Sequence, residues 1–119
     1  LIDKSCEQMR AMEETRTVMD TIVSYIDKNL DKEITRENLA ELVYLTPDYI
    51  SKLFRRKTGM SFGEYIQRRK IQEAQNLLEN TDMSIGDVAL CVGFSSFSYF
   101  SKTFKKITGM TPGDFRKKR

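Results

Sequence analysis

The sequence predicts an all-α fold: seven helices that form two helix-turn-helix units joined by a long linker helix. Three observations carry this. Tyr49-Ile50-Ser51-Lys52-Leu53-Phe54-Arg55-Arg56-Lys57-Thr58-Gly59-Met60 returns as Tyr99-Phe100-Ser101-Lys102-Thr103-Phe104-Lys105-Lys106-Ile107-Thr108-Gly109-Met110, an offset of 50 residues, and an internal repeat fixes architecture before any single element does. Between the copies lies a stretch without Pro, residues 61–80, long enough for one extended helix. No segment alternates apolar and polar residues as a half-buried strand would.

The elements follow in order. Residues 1–30 hold no Gly or Pro and read as helix. Met9, Met12, Arg16, Met19, Val23, Ile26 and Leu30 are spaced alternately three and four apart, a heptad seam interrupted by one Arg. Two readings fit. One is a signalling or dimerising helix from an upstream domain, with a homodimer formed through residues 1–30. The other confines packing to about residues 16–30 and leaves residues 1–16 as a linker remnant, since two or three heptads are marginal alone.

After Asp31-Lys32-Glu33, Thr35 opens the second helix with Asn38 three residues on, and Leu39, Ala40, Leu42 and Val43 supply an apolar face that ends near Tyr44-Leu45. Thr46 then caps a third helix, with Pro47 at a position that needs no N–H, and Gly59 stops it. Ser61 and Glu64 have capping-box spacing and start the fourth helix, which runs to about Glu79 with Tyr65, Ile66, Ile71, Ala74, Leu77 and Leu78 available for packing. The second half repeats the first: Ser84 and Asp87 answer Thr35 and Asn38, and Val88-Ala89 answer Leu39-Ala40. The sixth helix ends at Gly109, and Thr111-Pro112 restarts a last short one. The units are thus 35–58 and 84–108, the linker helix 61–80 and the terminal helix 111–117.

Composition narrows the function. The chain has 119 residues, 39% hydrophobic and 31% charged, the balance of an ordinary globular protein. No apolar run approaches the roughly 20 residues a membrane span needs, and no signal-peptide pattern opens the chain. Its first residue is Leu1, not Met, which leads to the expectation of a missing upstream domain. Cys6 and Cys91 without any His exclude the usual zinc spacings, so no metal or cofactor is expected, and scarce Cys fits a cytoplasmic location. Without a Gly-rich phosphate loop or paired acids in a cleft, an enzyme has little support. The net charge of +3 divides unequally: residues 1–48 carry −5 and residues 49–119 carry +8. Such asymmetry fits both a polyanionic partner and solvated helix faces.

The second helix of each unit resolves that choice toward nucleic acid. Ile50, Leu53 and Phe54 share one face, as do Phe100, Thr103, Phe104 and Ile107. The opposite faces begin with short polar side chains and end with long cations. N-terminal residues of a recognition helix approach base edges in the major groove. Pro47, Asp48, Ser51, Lys52, Phe97, Ser98, Ser101 and Lys102 are therefore the expected base contacts. Thr35, Arg55, Arg56, Ser96, Lys105 and Lys106 are the expected phosphate contacts, which position without reading sequence. Phe97 fits either contact with a thymine methyl or partial burial against Phe94. Asp48 fits either a cytosine amino group or a first-turn acid that complements the helix dipole. A linker helix of about 18 residues spans roughly 27 Å, and consecutive major-groove faces lie about 34 Å apart. One chain can then place two helices in neighbouring grooves of double-stranded DNA. The alternative is a helical dimerisation module, or one that binds nucleic acid without sequence preference.

Ile85-Gly86-Asp87-Val88-Ala89, Val92-Gly93-Phe94, Ser98-Tyr99-Phe100, Phe104-Lys105, Thr108-Gly109-Met110-Thr111-Pro112 and Phe115-Arg116 resemble the signature of the AraC/XylS family of bacterial transcription regulators. The resemblance extends from about Val18 to Lys117, and residues 17–118 would form the DNA-binding domain. It implies transcription control, most often activation, with RNA polymerase as a partner. Residues 1–30 are similar to the linker that follows a receiver domain in some response regulators of the family, so the missing upstream domain would be a receiver or effector-binding one. Asp48 departs from the expected pattern, because an acid near base edges is unusual.

Overall fold

Hydroxyl side chains decide where the helices begin. The computed structural model of the chain describes residues 18–118. Among these it has no strand and seven helices: α1 (residues 18–28), α2 (Arg36–Val43), α3 (Pro47–Thr58), α4 (Phe62–Asn80), α5 (Ile85–Cys91), α6 (Phe97–Thr108) and α7 (Pro112–Lys117). Thr35, Thr46, Ser61, Ser84, Ser96 and Thr111 stand at the N-caps of α2 to α7, and each side-chain oxygen accepts from the backbone N–H three residues on. Each cap satisfies a donor the helix leaves unpaired and contributes about 1 kcal/mol. The reciprocal arm of a capping box forms at Thr35, whose N–H donates to Asn38 Oδ1 at 3.4 Å. The box expected at Ser61 is half formed: the Glu64 carboxylate accepts from Arg68 Nε, one turn on, at 3.3 Å.

Helix α1 packs on its own domain through Ile22 and Ile26, and the turn after it through Leu30, all buried. Val23, expected in the seam, is only half-buried. Val18, Met19 and Tyr25 pack against the same core, so residues 18–30 bury one side against their own domain. Met9, Met12, Arg16 and the linker segment 1–16 lie outside the described residues.

Two cores result, and α4 belongs to both. Ile66 joins Ile22, Ile26, Leu30, Leu39, Ala40, Ile50, Leu53 and Phe54 in the first. Ile71, Ala74 and Leu78 join Val88, Ala89, Val92, Phe94, Phe100 and Phe104 in the second, with Phe115 of α7 packed against it. At 100° per residue, the second set lies roughly 80–140° around the α4 axis from Ile66. The helix therefore turns a different side to each unit.

Both units make the same turn. The Leu45 N–H donates to the Ala40 carbonyl at 2.9 Å, and the Phe94 N–H to the Ala89 carbonyl at 2.9 Å. These closures require a left-handed residue, which is Tyr44 (φ 58°) in the first unit and Gly93 (φ 89°) in the second. Tyr44 tolerates it because its side chain stands in solvent, 94% exposed. Gly93 has no such room: a Cβ there would lie 2.6 Å from the Leu30 carbonyl oxygen. Gly59 also has positive φ (76°), but a Cβ on it would meet nothing within 4 Å. Gly59→Ala is thus expected to cost about 1 kcal/mol, and Gly93→Ala about 2–4 kcal/mol, because strain and a backbone clash add. Urea unfolding of the two variants checks this; equal losses would contradict the close approach at Gly93.

Candidate nucleic-acid interface

The buried stripe of each second helix determines what its other side presents. In α3, Ile50, Leu53 and Phe54 are buried, which leaves Asp48, Lys52, Arg55 and Arg56 exposed and Pro47 and Ser51 partly covered. In α6, Phe100, Thr103 and Phe104 are buried, which leaves Ser98, Lys102, Lys105 and Lys106 exposed and Ser101 partly covered. The cations Arg55, Arg56 and Lys57, and Lys105 and Lys106, occupy the last turns. There the negative end of the helix dipole favours them even without a ligand. The early turns carry the short side chains, so each helix grades from a compact polar tip to a cationic end.

Most expected contacts therefore share one kind of surface in each unit. Thr35 and Ser96 use their side-chain oxygens as N-caps. Phe97 is 56% exposed, and the ring neighbours of Phe94 are Tyr99 at 5.7 Å and Phe100 at 5.3 Å. Phe97 is thus left available as an apolar contact rather than folded against Phe94. Asp48 sits in the first turn of α3 with its side chain 91% exposed, where it both complements the dipole and stays open.

Four features escaped the sequence reading. Arg36 of α2 reaches over to α3, where Nη1 donates to Ser51 Oγ at 2.7 Å and lies 4.0 Å from Asp48 Oδ1. Its sequence signal was a cation at the first position of a helix, where the dipole disfavours one. Gln67 Nε2 of α4 donates to the Tyr99 hydroxyl at 2.6 Å, which braces the start of α6 against the linker helix. At the junction of the units, Arg69 Nε and Nη2 donate to Asp27 Oδ1 at 2.9 and 2.7 Å. Beside it, Lys70 Nζ lies 5.8 Å from the centre of the Phe94 ring. Burial pushes the Lys70 ammonium below its ordinary value, and the Asp31 carboxylate partly offsets that. No sequence spacing signals these long-range partners.

Comparison with known proteins gives this surface its family. A model described as a helix-turn-helix domain matches residues 39–118. The bifunctional transcriptional activator/DNA repair enzyme AdaA of Bacillus subtilis is 40% identical over 98 residues, which cover 82% of this chain and 46% of that protein. An AraC-type transcriptional regulator from Chromobacterium violaceum has the same fold, with a TM-score of 0.82 at 25% identity over 87% of this chain and 92% of that one. The chain belongs to the AraC-type helix-turn-helix family of DNA-binding transcription regulators. The AraC-type domain of this chain is also similar to the DNA-binding domain of AdpA, solved with a target DNA: TM-score 0.76, 27% identity, 82% of this chain and 87% of that one. The chain spans less than half of the length of AdaA. No helix among the described residues is long and apolar enough to cross a membrane.

The AraC-type junction has a pH signature. Because the Lys70 pKa is lowered in the folded state, the unfolded chain holds its proton to higher pH. Stability is then reduced below the folded pKa and recovers as pH rises through it toward 10.5. Relative to Lys70→Met, the parent domain is expected to gain stability across that alkaline window in thermal melts. Curves that stay parallel would contradict the burial of the ammonium.

Proposed function

We propose that residues 17–118 bind double-stranded DNA sequence-specifically by inserting α3 and α6 into successive major grooves, and that they regulate bacterial transcription, as an activator. The observation that carries this is the matched polar-to-cationic grading of α3 and α6 on a single shared rod. The 19 residues of α4 span about 28 Å at 1.5 Å each, and packed neighbours extend that toward the roughly 34 Å between groove faces. The bound site is then asymmetric, with two unlike elements, because the tips of α3 and α6 differ: Asp48 in one stands where Ser98 stands in the other.

Pro47, Asp48, Ser51 and Lys52, and Phe97, Ser98, Ser101 and Lys102, face base edges. Lys52 and Lys102 reach guanine O6 and N7, and Phe97 meets a thymine methyl. Thr35, Arg55, Arg56, Ser96, Lys105 and Lys106 hold phosphates and set the register. The domain performs no catalysis and works in the cytoplasm. RNA polymerase is its partner in activation, and an upstream receiver or effector-binding domain joins it through residues 1–16.

Selection of bound duplexes from a random pool tests the reading: two unlike elements about one helical turn apart are expected, and a single element or none overturns it. Lys52→Ala and Lys102→Ala should each weaken binding to the selected site by about 1–3 kcal/mol with little effect on random duplex. Arg55→Ala should weaken binding to every sequence and lower the slope of log affinity against log salt by about one. An unchanged slope would remove Arg55 from the phosphate contacts.

A further inference from the structure

We propose that Arg36 is a specificity-determining residue: it polarises Ser51 and Asp48 so that the tip of α3 reads a base with an acceptor edge beside a base with an amino edge. This rests on the placement of α3 in a major groove. A guanidinium can only donate. Arg36 Nη1 donates to Ser51 Oγ at 2.7 Å, which takes one of the serine oxygen's two lone pairs and keeps its proton on the side away from the guanidinium. Thr58 and Thr108, by contrast, donate their hydroxyl protons to the Phe54 and Phe104 carbonyls of their own helices. The positive charge behind Ser51 strengthens its O–H as a donor and repels base amino groups. Ser51 therefore selects guanine N7 or O6, or thymine O4.

Asp48 lies one turn earlier, 4.0 Å from the same nitrogen, with its side chain 91% exposed. Ionised, it can only accept. It therefore selects an amino group, cytosine N4 or adenine N6. The nearby guanidinium also offsets the repulsion that a bare carboxylate would feel from phosphates, which accounts for an acid on a DNA-facing tip. The second unit lacks this device. Thr35 is answered by Ser84, so the counterpart of Arg36 is Ile85, and Asp48 is answered by Ser98. Without a guanidinium, Ser101 is free to donate or accept, and the base opposite it is discriminated less.

Duplex selection with the parent chain and with Arg36→Met tests the assignment. Both should melt alike, since the Arg36 side chain is 42% exposed. The parent should show guanine or thymine beside cytosine or adenine in the element read by α3. In Arg36→Met that preference should fall about 5-fold or more, the low end of what a good base contact is worth. The element read by α6 and the salt slope should stay as they were. Adding Ser51→Ala to Arg36→Met should cost no further discrimination at the acceptor-edge position, because the two act as one unit. An unchanged profile, additive losses, or a uniform loss with a shallower salt slope would overturn the proposal, the last by making Arg36 a phosphate clamp. If the parent itself selects no α3 element, the groove placement beneath it fails instead.

Discussion

Helix α4 is buried by two cores at once, and the rest of the structure depends on that. Ile66 is committed to the first core and Ile71, Ala74 and Leu78 to the second. A side chain in a close-packed interior cannot shift without leaving a void, so neither unit can slide along or rotate about the rod independently. The salt link from Arg69 to Asp27, the approach of Gly93 to the Leu30 carbonyl and the brace from Gln67 to Tyr99 add restraint from three further directions. A separation held this way is a property of the folded domain rather than something acquired on binding.

The units share a plan and differ in detail. Both begin with a hydroxyl cap, close the same six-residue turn and end the second helix on a left-handed glycine. At two divergent positions a contact explains the difference. The left-handed turn residue is Gly93 where the chain abuts Leu30, and Tyr44 where it meets solvent. The first position of the opening helix is Arg36 where it serves the neighbouring tip, and Ile85 where it packs against the second core. Duplication supplied the frame; the surroundings of each copy determined the residues that depart from it.

Local chemistry was legible in the sequence. The terminating glycines of α3 and α6 and most of the caps act within a few residues of themselves, so spacing alone revealed them; the cap at Ser96 escaped it, that residue being expected only as a phosphate contact. The apolar faces of α3, α4 and α6 follow from helical period, and so do the outward cations. What stayed hidden depends on partners far along the chain. Val23 and Ile22 are equally good apolar residues, and only the direction in which α1 meets the first core selects Ile22. The bond from Gln67 to Tyr99 and the stacking of Lys70 on Phe94 join residues with no sequence relation. Tyr44 in a left-handed conformation carries no glycine to announce it. Arg36 was the one hidden residue with a local sign, a cation where the helix dipole disfavours it.

One rod fixes the distance between α3 and α6 before any ligand arrives. Spin labels at Lys57 and Lys106, in a chain whose Cys6 and Cys91 are replaced by Ser, report that distance by pulsed electron resonance. A single narrow distribution in the free domain is the expected result. A broad or two-peaked distribution in the free domain would contradict it.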